Sequence, residues 1–187
     1  MNEFLKKFSI FVSISNNNKI NNNILLWDFK EILNIFEKLT NNKIVIMDKD
    51  FFLSIKSIPL KNRINIIICG QDFDYINRKE NILTSNTGII KVKDMNDVIE
   101  FTKKFEDSKT ENHEVSTKFN TNEFFIIGNN YDTFLPYINK IYMTKTISDI
   151  ENGEEFTDIS GYNWKLLKNN EYKNEYFNYS FLEIEKI

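Results

Sequence analysis

Short apolar runs alternate along the chain with stretches in which apolar positions recur every three or four residues. The first kind reads as buried strands and the second as helices lying against them, so their order predicts an α/β domain. FSIFVSI (8–14) is the first strand, and the polar run over 16–23 is a loop. In DFKEILNIFEKL (28–39) Phe29, Ile32, Leu33 and Phe36 share one helical face, and Asp28 followed by Glu31 has the form of a capping box. KIVIM (43–47) is a strand, 49–55 a short helix and INIIIC (64–69) another strand. GIIKV (88–92) follows, and Asp94 caps an amphipathic helix over 95–105. FFIIG (124–128) is a strand ending at a glycine, before a short helix to Pro136 and the strand KIYMTKTI (140–147). YNWKLLK (162–168) and YFNYSFLEIEKI (176–187), separated by the polar NNEYKNE, read as an antiparallel pair. Residues 106–122 carry almost no large apolar side chains and predict a flexible insertion. With no repeat and no linker, a single domain over 1–187 is expected.

Composition narrows the class. A chain of 187 residues with 41% apolar and 27% charged positions is an ordinary globular protein. No apolar run approaches the ~18 residues of a membrane helix. MNEFLKKFSIFVSI is followed by SNNNKINNN and not by small residues of the kind cleaved after a signal peptide, so a cytoplasmic protein is expected. A net charge of -3 argues against a globally basic nucleic-acid binder. Asn and Ile occur 28 times each, Lys 22 times, Arg twice and Ala never, the mark of an A/T-rich genome more than of a function.

Isolated signals carry little chemistry. Cys69 ends an apolar strand and has no companion cysteine for a disulfide or zinc, so a buried thiol is its reading. His113 is the only histidine and lies in the polar insertion, which leaves a histidine-based metal site nothing to build on; no metal is expected. Gly70 begins neither a dinucleotide fingerprint nor a P-loop. Tyr172, Tyr176, Phe177, Tyr179 and Phe181, beside Lys165, Lys168 and Lys173, suit either strand packing or base stacking. Lys6, Lys7, Lys103, Lys104, Lys109 and Lys118 are either a solvated face or a local contact to RNA phosphates.

Taken together, LLWDFKEILNIFEKLTNNKIVIMDKDFFLSIKSIPLKNRINIII, FFIIGNNYDTFLPYINKIYMT, GEEFTDISGYNW and YSFLEIEK resemble the dihydrofolate reductase family in order and spacing. The resemblance implies a central mixed sheet of about eight strands flanked by about four helices, with a C-terminal antiparallel edge hairpin. It also implies a carboxylate on the first long helix that assists protonation of the pterin while NADPH delivers hydride. The match runs without a gap from Trp27 to Ile55, anchored by Phe36, Thr40, Met47 and Ser54, and puts Ile32 at the acid position. Glu31 is the available substitute, but adjacent helical residues point about 100° apart. Its alternative role is to complete the cap with Asp28.

The cofactor side departs in the same direction. Asp48, Lys49, Asp50 and Phe51 stand where the family meets the NADPH phosphates, so two carboxylates oppose an anion and only Lys49 favours it. Gly128 and Asn129 replace a double glycine before Tyr131, Asn21 lies near the mobile-loop glycine, and Leu26 replaces the proline before Trp27. The folate side is better kept: Leu33, Phe36, Ile55, Leu60 and Thr144 fall on pocket positions, and Arg63 on the arginine that grips the glutamate carboxylate. Those same residues also suit a core with an arginine bonded to backbone carbonyls. The expectation is a catalytically inactive family member, with no cofactor, retained as a binding factor for a macromolecular partner such as the ribosome. The alternatives are a divergent NADPH-dependent reductase and a folate-binding protein without turnover.

Overall fold

The computed structural model describes residues 7–20, 30–72, 89–111, 122–128, 131–173 and 178–187. In chain order the elements are β1 (Phe8–Ile14), β2 (Lys19–Ile20), α1 (Lys30–Thr40), β3 (Ile44–Asp48), α2 (Lys49–Ser54), β4 (Ile64–Ile68) and β5 (Ile89–Val92). There follow α3 (Met95–Glu111), β6 (Phe124–Ile127), β7 (Ile138–Thr146), β8 (Glu154–Glu155), β9 (Trp164–Lys173) and β10 (Asn178–Lys186). They divide into two compact units, Met1–Leu39 with Ile127–Ile187, and Thr40–Ile126.

In the first unit β1 and β7 run parallel, with Phe11 opposite Tyr142 and Ser13 opposite Thr144. β10 lies antiparallel to β7, with Phe181 opposite Thr144 and Tyr179 opposite Thr146, and β9 lies antiparallel to β10. β1 is buried along its whole length, including Ser9 and Ser13, as a strand covered on both faces is. β9 is an edge strand and is mostly exposed. The two-residue strands β2 and β8 pair where Gly153 meets Ile20; a Cβ at 153 would stand 2.6 Å from the Ile20 carbonyl oxygen. Only glycine permits that approach.

In the second unit β3, β4 and β5 are parallel neighbours and β6 lies beside β3. The side chain of Asn65, fully buried in β4, accepts the Leu60 amide and donates to the Leu60 carbonyl, both at 3.0 Å. One side chain thereby satisfies the backbone of the loop entering the strand.

Parallel and antiparallel pairs coexist, as expected of a mixed sheet, and eight of the described strands have four or more residues. Three α-helices are described where about four were expected. Asp94 caps α3 through the amides of Asn96 and Asp97, as predicted, but the helix continues to Glu111 and does not end at 105. The residues beyond 105 are polar but include no Gly or Pro, so a lack of apolar positions was no stop signal. The rest of the expected insertion, 112–121, lies outside the described residues, as does Asp28 of the capping box. NNEYKNE, read as a connection, largely belongs to β9, because Tyr172 stacks on Tyr179 with ring centroids 5.0 Å apart.

Candidate functional site

One aromatic contact joins α1 to the sheet. Phe36 meets Phe11 edge-on, 5.1 Å between centroids, so the α1 face bearing Phe36 and Ile32 covers the β1 face bearing Phe11 and Ser13. Tyr142 stacks with Phe181 on that same face of the neighbouring strands, 6.4 Å apart. Near the other end of α1, Glu31 acts on Tyr179, whose phenol is pushed up to about 12, first by burial, then by Glu31 and by the stacked Tyr172. Phe11 lies opposite Tyr142, Tyr179 opposite Thr146, and the row between them is Ser13, Thr144 and Phe181. Ile32 lies one helical turn before Phe36 on the same face of α1, the face that meets the β1 surface.

Ile32 is fully buried there and Glu31 is exposed. Turning Glu31 inward would carry Ile32 off the core, as the angular spacing of a helix requires. Leu33 is half-buried and Phe36 buried, consistent with an apolar wall.

In that row Ser13 is 4% and Thr144 0% exposed, and neither Oγ has a hydrogen-bond partner among the described residues. Two other hydroxyls, on or next to these strands, are satisfied: Ser15 donates to Asn17 Oδ1 and the Lys19 carbonyl, and Thr146 donates to the Ser148 carbonyl. An unpaired buried hydroxyl costs about 1–3 kcal/mol, so two in adjacent register positions mark a place where polar matter belongs. Thr144 was anticipated as a pocket residue; Ser13 was not. Its only sequence signal is a hydroxyl inside an otherwise apolar strand.

The second unit holds the other anticipated residues. Ile55 and Leu60 are half-buried beside α2 and before β4. Arg63 is 8% exposed; its Nε donates to Thr40 Oγ1 at 2.8 Å and an Nη1 hydrogen to the Lys61 carbonyl at 2.7 Å. At α2, Asp48 is the N-cap and its Oδ1 accepts the Phe51 amide at 2.6 Å. Phe51 is buried and Asp50 exposed.

The protein-family model described as Dihydrofolate reductase matches residues 7–186. Dihydrofolate reductase of Buchnera aphidicola subsp. Acyrthosiphon pisum is 31% identical over 180 residues, 92% of this chain and 95% of the relative. That of Bacillus subtilis is 28% identical over 170 residues, 88% and 84% of the two chains. The chain belongs to the dihydrofolate reductase family. The fold agrees: the Enterococcus faecalis enzyme solved with NADP(H) and RAB-propyl superposes with a TM-score of 0.67 at 14% identity, covering 96% of this chain and 95% of that one.

Within this dihydrofolate reductase fold, the residues at the α2 start do not fit the NADPH phosphates that the family implies. A phosphate at a helix N-terminus is held by free amides. Here the protein's own carboxylate has taken the Phe51 amide, Asp50 adds a second negative charge, and Phe51 supplies no hydroxyl. Lys49 is half-buried. Gly128 keeps a positive φ of 131°, a conformation that needs glycine. Asn129, Asn21, Leu26 and Trp27 lie outside the described residues.

The remaining candidates are placed as follows. Cys69 is buried, its Sγ 3.6 Å from the Ile67 carbonyl. Tyr179 and Phe181 are buried and unavailable for base stacking; Tyr176 and Phe177 lie outside the described residues. Lys104 pairs with Glu100 on α3, Lys103 is exposed there, and Lys6, Lys118 and the side chain of Lys109 are outside the described residues, as is His113. Among the described residues no group of three or more His, Cys, Asp or Glu side chains is placed to hold a metal, and no helix is long and apolar enough to cross a membrane.

Proposed function

We propose that this chain is a catalytically silent dihydrofolate-reductase-family protein that holds a folate-like ligand and serves as a binding factor. The observation that carries the reading is the fully buried Ile32 at the position the family resemblance gives to the acid, with Glu31 exposed beside it. General acid assistance needs an ionisable group within hydrogen-bond reach of the ring being protonated, and an aliphatic side chain supplies none. The capped and acidic start of α2 supports the same reading from the cofactor side. Leu33 and Phe36 keep the apolar wall against which a flat heterocycle packs.

A second reading is favoured by the near full-length match to relatives named dihydrofolate reductase. In it the chain is a divergent reductase that takes its proton from a water held at the two hydroxyls. An NADPH-oxidation assay with dihydrofolate, run on the wild type and on Ile32→Asp, separates the two. The silent reading expects no wild-type turnover above the uncatalysed background, and robust wild-type turnover overturns it.

A further inference from the structure

We infer that a cavity on the face of β1, β7 and β10 turned away from α1 binds a free aromatic carboxylate, with Lys145 as its charge partner. The inference does not depend on the function proposed above, because the sheet itself separates this cavity from the face that α1 covers.

Ile14 of β1, Met143 and Lys145 of β7, and Leu182 of β10 form the floor. They share one face because Ile14 is the register partner of Lys145, and Leu182 that of Met143. Residues alternate along a strand, so these side chains point opposite to Phe11, Ser13 and Thr144. The segment over 156–160 and Trp164 at the start of β9 make the walls, and the cavity measures about 360 Å³. That is the lower end of the range for small-molecule sites, roughly 300–1,000 Å³, and it suits a single ring system. The walls are tied down by their own hydrogen bonds. Trp164 Nε1 donates to the Ile159 carbonyl at 2.9 Å, and the Phe156 amide donates to the Asn18 carbonyl at 2.8 Å. A wall already ordered leaves a ligand little entropy to lose on binding.

The charge comes from Lys145. It stands half-buried on the apolar floor and makes no hydrogen bond or ion pair among the described residues. Other lysines of the same strands are engaged: Lys140 pairs with Glu183 at 3.1 Å, and Lys186 donates to the Leu135 carbonyl and lies 3.9 Å over the Tyr162 ring. An ammonium group whose stem is covered and whose head has no partner attracts an anion. The rings of Phe156 and Trp164 offer a planar body its packing surface. Asp158 also lines the cavity, but it is exposed and already accepts the Ser160 amide at 2.9 Å. Water screens its charge more than that of the half-buried lysine, so the cavity favours an anion over a cation.

The experiment is a titration of the full chain, followed by protein NMR shifts, with three probes of one shape: 2-naphthoate, 2-naphthamide and 2-naphthylmethylamine. The wild type is expected to bind 2-naphthoate with a Kd of about 1 mM or tighter, at least fivefold tighter than the neutral amide and tighter still than the cationic amine. Lys145→Met is expected to weaken 2-naphthoate about fivefold while leaving 2-naphthamide unchanged, which shows the cavity intact, and Lys145→Arg to keep the preference for the carboxylate. Absence of 2-naphthoate binding up to about 5 mM overturns the proposal. So does an affinity for 2-naphthoate that is unchanged in Lys145→Met, which would put the ligand elsewhere, or a wild-type preference for the amine, which would make Asp158 the charge that governs the site.

Discussion

Asp48 accepts the amide hydrogen of Phe51 at 2.6 Å, so the first turn of α2 is closed by the protein's own carboxylate. Capping and phosphate binding compete for the same backbone donors. An N-cap carboxylate is always present in the folded chain, whereas a ligand must give up translational freedom to displace it. The cap therefore competes directly with a phosphate for that amide.

That competition is testable by restoring the donors. Asp48→Gly combined with Phe51→Thr frees the amide and returns a hydroxyl, at a cost of a few tenths of a kcal/mol for the cap and about 3 kcal/mol for the buried ring. Binding of NADPH, followed by its fluorescence, is expected to strengthen at least tenfold over the wild type. Unchanged affinity would mean that the cap does not limit phosphate binding at α2.

Ile32→Asp tests the hydroxyl row through stability. A carboxyl group introduced at a fully buried apolar site normally costs 4 kcal/mol or more, which is the expectation for Ile10→Asp on the opposite face of β1. At position 32 the new group finds Ser13 and Thr144 beneath it, each free to bond it among the described residues. Ile32→Asp is therefore expected to cost about 1–2 kcal/mol less than Ile10→Asp by urea denaturation. Equal losses would mean that the hydroxyls do not face position 32.

Much of this arrangement was legible in the residues because it repeats. The spacing of Ile32, Leu33 and Phe36 defines one helical face, and the apolar runs of β1, β3 and β4 leave few other structures open to them. The cap at Asp94 was readable from a single side chain. What was not legible depends on partners distant in sequence. Ser13 matters because β7 places Thr144 opposite it, which no local pattern encodes. The extension of α3 to Glu111 and of β9 to Lys173 shows the converse. Polar composition suggested loops, but helix propensity and a tyrosine stack across strands decided otherwise.

Tyr179 gives the protein an alkaline limit. Its phenol is raised to about 12 from an ordinary 10, so the folded state holds that proton more tightly than the unfolded chain. The stabilisation is complete below pH 10 and is lost as pH rises through 10 to 12, by about 2–3 kcal/mol at most. Absorbance at 295 nm is expected to show one tyrosine ionising late, and Tyr179→Phe to abolish that phase and flatten the loss of stability. Glu31→Gln should bring the phase slightly earlier, because burial is the larger cause and Glu31 the second. No effect of Glu31→Gln would leave burial as the main cause of the shift.

Arg63 distinguishes a structural role from a binding one. Its Nε bond to Thr40 Oγ1 and its Nη1 bond to the Lys61 carbonyl join the end of α1 to the loop before β4. Lys carries one point charge in place of a planar fork and cannot make both bonds, so Arg63→Lys is expected to cost about 2–3 kcal/mol by thermal or urea unfolding. Thr40→Val removes the first bond alone, and a double-mutant cycle of the two should give a coupling near 1 kcal/mol. If the remaining guanidinium donors also receive a ligand carboxylate, Arg63→Lys weakens folic acid more than pteroic acid, which lacks the glutamate. Equal weakening of both ligands assigns Arg63 to the scaffold alone, because only the carboxylate tail distinguishes them.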